Sequence, residues 1–234
     1  MESLKKILVI PIFVVLITAL VLLHHDAHAS TLLFQDNYTN AGWTQVGSSI
    51  TVNSMFFPNF VHFNNAAGGQ SVEDTRVLKK LPSTLPLGNW TANFDYKFTA
   101  SNIPAAYPFV LTTSSANAEM QGTGSSIIVL HGIGIDALEI RTFVGSAITD
   151  SASSIPISVN KHYYVSLERT PTQLVLSVFS DPARTMQVVG SPVSLNITST
   201  DFGDLHFIQH STKFTAGFSR TLTANIDNTR IFTP

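Results

Sequence analysis

The segment WTANFDYKFTA, residues 90–100, alternates apolar and polar positions. Trp90, Ala92, Phe94, Tyr96 and Phe98 fall on one side, and Thr91, Asn93, Asp95, Lys97 and Thr99 on the other. That is the period of a strand with one face in a core and one in water. The same period runs through Tyr107 to Thr113, Ser126 to Leu130, Leu138 to Val144, His162 to Arg169, Gln173 to Ser180, Gln187 to Val193 and Asn225 to Phe232, in runs parted by Gly, Pro, Asn and Ser. HYYVSLERT and QLVLSVFS, joined around Pro171, predict a hairpin, since Pro suits a turn and cannot donate to a ladder. Only Thr200 to Leu205 suggests a helical turn, with Ser199 or Thr200 as its N-cap. Roughly a dozen strands exceed what one flat sheet holds, so the pattern predicts an all-β, two-sheet antiparallel sandwich or jelly roll. The polar stretch TTSSANAEMQGTGSS reads as a connection, because β-periodicity resumes on both sides.

The N-terminus departs from this pattern. A basic start, MESLKK, precedes an apolar run from Ile7 to Leu23, and Ala27-His28-Ala29 satisfies the small-x-small rule for signal-peptide cleavage before Ser30. The apolar run sits at the short limit for a spanning helix, which needs about 20 residues. Residues 1–29 are therefore expected to be a signal peptide, with an uncleaved transmembrane anchor as the alternative. Either way, residues 30–234 form one domain that is extracellular or in the cell envelope. The HHDAH cluster (His24, His25, His28) belongs to the leader's exit.

Without the leader's Lys5, Lys6, Glu2 and Asp26, the chain carries 11 Lys and Arg against 13 Asp and Glu. That balance excludes the basic footprint of a nucleic-acid binder and argues against acidic polymers as partners. The absence of Cys removes disulfides, thiolate metal sites and thiol nucleophiles. Stability has to come from packing, to which the 16 phenylalanines contribute most.

Three segments carry a resemblance: LLFQDNYTNAGWTQVG (32–47), the central YYVSLERTPTQLVLSVFS, and the closing ANIDNTRIFTP (224–234). Their order resembles the concanavalin A-like lectin and glucanase superfamily, including its laminin G-like members. The resemblance implies that the opening and closing segments lie side by side. It also implies a structural calcium ion, for which Asp36 and Asp227 become candidate ligands, with backbone carbonyls completing an oxygen shell. The other reading of Asp36 and Asp227 is that they cap turns. Laminarinase-like members carry E-x-D-x-x-E on one strand. Against that pattern GIDALEIR places Asp136 and Glu139 on the second and third acids and Gly134 where the nucleophile belongs.

Retaining hydrolysis needs two carboxyl groups about 5 to 5.5 Å apart. Asp136 and Glu139 are an odd number of residues apart and point to opposite faces of a regular strand. The simpler reading pairs Glu139 with Arg141 on the outer face and buries Leu138 and Ile140. A second acid from Glu73, Asp74 or Glu168 is the route left open for catalysis. No G-x-S-x-G elbow is present, and the glycines of GSSIIVLHGIG precede no helix that would cradle phosphate. His62, His131, His162, His206 and His210 are scattered and read as structural.

Sugar recognition calls for aromatic faces flanked by amides and carboxylates. Trp43, Tyr107, Tyr163 and Tyr164 supply the aromatics, but Trp43 and Trp90 suit core packing better than ligand contact, and the sequence nominates no binding site. Adjacent Tyr163 and Tyr164 cannot both face inward. Three sequons, at Asn37, Asn89 and Asn196, are compatible with N-glycosylation outside the cytoplasm. The sequence thus predicts a noncatalytic β-sandwich that binds carbohydrate or another cell-surface component. A glycan-active hydrolase or lyase and a structural adhesion module are the alternatives.

Overall fold

Alternation along residues 90–100 does what it predicts: Trp90, Ala92, Phe94, Tyr96 and Phe98 are all buried and lie on the inner face of the central strand of a sheet. A computed structural model describes residues 30–39, 41–53, 59–68, 75–102, 106–118, 124–132, 135–212 and 220–234. Among these, the strands in chain order are β1 (Thr31–Asp36), β2 (Trp43–Val46), β3 (Ile50–Asn53), β4 (Phe60–Gly68), β5 (Arg76–Lys80), β6 (Trp90–Asn102), β7 (Ala106–Thr112) and β8 (Ser125–His131). They continue with β9 (Ala137–Val144), β10 (Ala147–Asp150), β11 (Ile155–Pro156), β12 (His162–Arg169), β13 (Gln173–Phe179), β14 (Val193–Asn196), β15 (Phe207–Thr212) and β16 (Arg220–Thr233). No helix occurs among the described residues. Residues 1–29, where the sequence predicts a leader, lie outside them, as do Gly134, Glu73 and Asp74.

The strands form two eight-stranded antiparallel sheets. Sheet I runs β14-β13-β12-β6-β16-β4-β3, with β1 also pairing β16, and sheet II runs β10-β9-β8-β7-β15-β5-β2, with β11 pairing β9. The opening and closing strands are therefore neighbours. Inner faces meet in one core, where Phe94 of β6 and Phe109 of β7 stack across the sheets with centroids 4.8 Å apart and planes 7° from parallel. Residues Leu32–Thr233 form one compact unit.

Two histidines from sheet II reach through this core to tyrosines of the opposite layer. The Tyr96 hydroxyl meets His131 Nδ1 at 2.5 Å. The Tyr38 hydroxyl, just beyond β1, meets His210 Nε2 at 3.3 Å and also bonds the Thr229 hydroxyl of β16. His210 Nδ1 donates to the Pro108 carbonyl at 2.5 Å, leaving Nε2 as the acceptor. Burial pushes both imidazoles down to about 4, partly opposed at His131 by Asp136 and at His210 by the Pro108 carbonyl and Asp36. Each polar contact satisfies atoms that would be costly if left alone in an apolar interior.

The hairpin at Pro171 forms as predicted, with Arg169 opposite Leu174. Tyr163 is buried while Tyr164, one residue on, stands half-exposed on the outer face. Two expectations are corrected. Residues 187–192 are not a strand: they contribute one isolated bridge, Phe179 with Gln187, and Val193 belongs to β14. Gly190 then takes a left-handed φ of 87° and Pro192 lacks a donor, so pairing resumes only in β14. Residues 199–204 form turns and not an α-helix. The capping pair is Thr198 and Asp201, which exchange Thr198 N to Asp201 Oδ2 at 2.9 Å and Asp201 N to the Thr198 carbonyl at 3.2 Å.

Replacing Phe109 with Ala removes the intersheet stack and is expected to cost about 3–5 kcal/mol, read as a lower urea midpoint. His210 is neutral in the fold but titrates near 6.5 when unfolded. Its contribution is whole above pH 6.5, falls as pH drops from 6.5 to about 4, and levels below that. The wild type should lose on the order of 3 kcal/mol more between pH 7 and 4 than His210→Gln, measured by urea unfolding at both pH values.

Candidate functional site

The outer face of sheet I carries polar residues that period-two patterning assigns to water, yet Asp95 in its centre is buried, with 7% of its surface exposed. Asp95 lies opposite Tyr164 on β12 and opposite Asp227 on β16. One Asp95 oxygen accepts Asn228 Nδ2 at 2.7 Å, and the other faces Arg184 Nη2 at 3.4 Å. Around it opens a cleft of about 290 Å³ lined by Asn93, Asp95, Tyr164, Arg184, Asn228 and Arg230, with Pro182 and Phe232 at its margins.

Local sequence builds each wall. After β13 the run DPARTM turns on Asp181, whose carboxylate accepts the Thr185 hydroxyl at 2.9 Å and the Met186 amide at 2.6 Å. Those bonds, that of Met186 foremost, hold the Asp181 carboxyl below its usual range. The turn places Arg184 at a left-handed φ of 55° and swings its guanidinium to 5.9 Å from the Tyr164 ring centroid, while the His162 and Tyr164 rings stack with centroids 4.8 Å apart. Opposite, the pairing of β16 with β6 shifts register between Asp227 and Arg230. Asn228 takes φ 51° in this bulge and Thr229 turns inward to Tyr38. Non-glycine residues in the left-handed region are uncommon, and two of them wall one cleft.

Two buried polar atoms in the cleft have no hydrogen-bond partner: the acceptor Asn93 Oδ1 and the donor Arg184 Nε. A neighbouring depression of about 380 Å³ shares Asn228 and Arg230 and is lined further by Gln35, Asn37, Thr39, Asn59 and Asp227. Asn59 Oδ1 there is buried without a partner. Burial and the nearby Asp95 raise the carboxyl of Asp227 above its ordinary value.

Asp36 sits on β1 with both oxygens engaged. Lys79 Nζ pairs with one at 2.5 Å, and the Tyr38 amide at 2.5 Å and Trp43 Nε1 at 3.3 Å donate to the other. As placed, Asp36 does not fit a calcium ligand, because a cation would have to displace the Lys79 ammonium. Trp43 is half-buried against Tyr38 and His210, and Trp90 is core. Among the described residues, no three of His, Asp and Glu gather in a metal-binding arrangement.

Asp136 and Glu139 stand in different surroundings. Asp136, in the bend before β9, accepts Ser101 Oγ at 2.6 Å and faces His131 Nε2 at 3.4 Å. Ser101 bonds the carboxylate and not the imidazole, whose other nitrogen is taken by Tyr96, so this set lacks the serine-to-histidine contact that activates a nucleophile. Glu139 stands on the outer face of sheet II beside a depression with Asp150, Ser151 and Ser154. Arg141 bonds Asp150 at 2.6 and 2.7 Å, and Tyr107 also bonds it. Tyr107 is fully buried on that outer face, packed with Val110, Ile128, Leu130, Phe143 and Ala118. The connection after β7 covers them: Ala118 N donates to Gln209 Oε1 at 3.2 Å, and Gln209 Nε2 donates to the Ala116 carbonyl at 3.0 Å.

Glu168 and the sequon residues Asn37, Asn89 and Asn196 are exposed. His62 bonds Asn225 at 2.7 Å and His206 the Asp204 carbonyl at 2.5 Å. Of the residues that form the cleft, sequence reasoning named Tyr164 alone as available for ligand contact, and placed Asn93 and Asp95 only on the water-facing side of their strand. The remaining signals are the Asp-Pro turn after β13 and the Asp-Asn pair in the closing strand, neither of which breaks the strand period visibly.

These two sheets, with first and last strands adjacent, have the concanavalin A-like jelly-roll fold. Solved structures similar to it include the exoplasmic/lumenal domain of VIP36 in its Ca2+/Man-bound form, at 12% identity and a TM-score of 0.53, covering 82% of this chain and 83% of that one. Arcelin-5, a lectin-like defense protein from Phaseolus vulgaris, is 10% identical with a TM-score of 0.55 over 88% of this chain and 98% of its own. Domain 4 of AbnA, an extracellular arabinanase of Geobacillus stearothermophilus in complex with arabinotriose, is 8% identical with a TM-score of 0.52 over 87% and 93%. No family model and no curated protein sequence matches the chain.

Asn228 tests the cleft's geometry. Asn228→Gly keeps the left-handed backbone free of strain, whereas Asn228→Val forces a β-branched residue into it, so Val should be less stable than Gly by about 1–2 kcal/mol in urea unfolding.

Proposed function

We propose that this β-sandwich is a noncatalytic carbohydrate-binding module acting outside the cytoplasm, and that the sheet I cleft is its binding site. The observation that carries the reading is the unpartnered Asn93 Oδ1 beside the Tyr164 ring and the buried Asp95. A saccharide hydroxyl would donate to the amide oxygen while its C–H face covers the ring, satisfying polar and apolar surface together. Left-handed backbone at Arg184 and Asn228 fixes the groups in advance and lowers the entropy lost on binding. The mannose-bound VIP36 form and the arabinotriose complex of AbnA domain 4 support a sugar as the ligand class on this fold. Their exoplasmic/lumenal and extracellular descriptions, with the leader that the sequence predicts over residues 1–29, support the location.

A structural calcium ion is a secondary proposal, supported by the Ca2+-bound VIP36 forms. The depression between β1 and β16 leaves Asp227 without, among the described residues, a lysine partner such as Asp36 has: Asp227, Asn37 and Asn59 would supply the oxygens, beside the Arg230 guanidinium, and the ion would fasten the two strands together. The hydrolase alternative rests on Asp136 and Glu139. Release of product from a glycan, abolished in Glu139→Gln, would favour it over recognition.

On a glycan array the protein should give discrete saccharide signals that fall at least tenfold in Tyr164→Ala, with little change in melting temperature. Signals retained in that variant would remove the cleft from recognition. Adding millimolar calcium after chelation is expected to raise the melting temperature, and Asp227→Asn should abolish the rise. A melting temperature indifferent to both treatments ends the calcium proposal.

A further inference from the structure

Two arginines, and one carboxylate already spoken for, line the cleft. Asp95 is committed to Asn228 and Arg184, and Asp181 to its own turn. Asp227 accepts the Asn228 amide at 2.7 Å and lines the neighbouring depression, which Arg230 also borders. Glu168 is exposed one register step further along, opposite Thr91, as Phe232 is. Arg230 is exposed and makes no ion pair among the described residues. It is near enough to Arg184 for their like charges to oppose one another. Arg184 meanwhile keeps Nε buried without an acceptor, although its Nη2 faces Asp95. An unsatisfied buried donor beside a second, unpaired cation is relieved most fully by an anion with two oxygens in a plane, the geometry that guanidinium groups match.

We infer that the cleft selects a saccharide bearing one carboxylate, which bridges Arg184 and Arg230 while the sugar ring lies on Tyr164 and a hydroxyl reaches Asn93. This rests on the carbohydrate reading above and adds the charge class of the ligand. The even net charge of the chain argues against long polyanions spread over a basic surface. It does not bear on a single acidic sugar seated between two side chains.

The test compares three oligosaccharides that differ only in their terminal residue: glucuronic acid, glucose and glucose 6-sulfate. Binding of each is measured by calorimetry to the wild type, Arg230→Gln and Tyr164→Ala at low and high salt. The glucuronic acid form should bind the wild type at least tenfold more tightly than the glucose form. That ratio should fall toward one in Arg230→Gln or in 0.5 M salt. Equal affinity for the acidic and neutral sugars in the wild type, with both lost in Tyr164→Ala, overturns the charge inference and keeps the carbohydrate reading. Preference for the sulfate overturns the carboxylate. A ratio that survives Arg230→Gln removes that arginine from the site. Binding of none of the three overturns this inference, whereas an array signal from other sugars, lost in Tyr164→Ala, would still support the carbohydrate reading.

Discussion

The alternation of β6 is the constraint from which the rest follows. Its inward residues, Trp90 to Phe98, meet β7 across the core through the Phe94–Phe109 stack, and so fix which way the outward residues point. A one-residue slip in register would send Asp95 into the core and Phe94 into the cleft. Burial of the aromatic face is worth several kcal/mol per large side chain, far more than the cleft's hydrogen bonds contribute. The core thus sets the position of the site, and the site exerts little influence on the core.

The polar bridges through the interior add specificity of alignment. Tyr96 with His131, and Tyr38 with His210 and Thr229, demand matched partners from facing layers, so a shifted sandwich would strand several of them in an apolar medium. The second bridge also couples the start of the chain to the bulge in β16. Thr229, drawn inward by Tyr38, leaves Asn228 turned outward toward Asp95, so the wall of the cleft depends on a contact formed on the far side of the same strand.

Strands such as β6, β12 and β13 were legible because one face is core and the other is polar. β5 and β15 were not: RVLKK and FIQHST lack clean alternation, and sheet II is covered on both faces near β15, so buried polar residues such as Gln209 and His210 occupy positions where the pattern looks for apolar ones. The opposed facing of Tyr163 and Tyr164 could be read from strand geometry alone, whereas Asp136, expected on one strand with Glu139, lies in the bend before β9. Arg184 could not be placed, because a loop residue's target is decided by tertiary packing. Nor could Asp95, whose position reads as solvent-facing until the Asp181 turn and the β16 bulge close over it. The adjacency of β1 and β16 came from resemblance, and no local rule in the sequence implies it.

β16 is the latest strand in the sequence, yet it sits between β6 and β4 in the middle of sheet I. During ribosomal synthesis that layer therefore exists as two separated halves, each with an unsatisfied edge, until the fourteen residues of β16 emerge and join them. Such long-range closure slows folding and has to wait until β16 has been translated. The nascent chain is thereby exposed to edge-to-edge association, and the cleft is among the features assembled at the end.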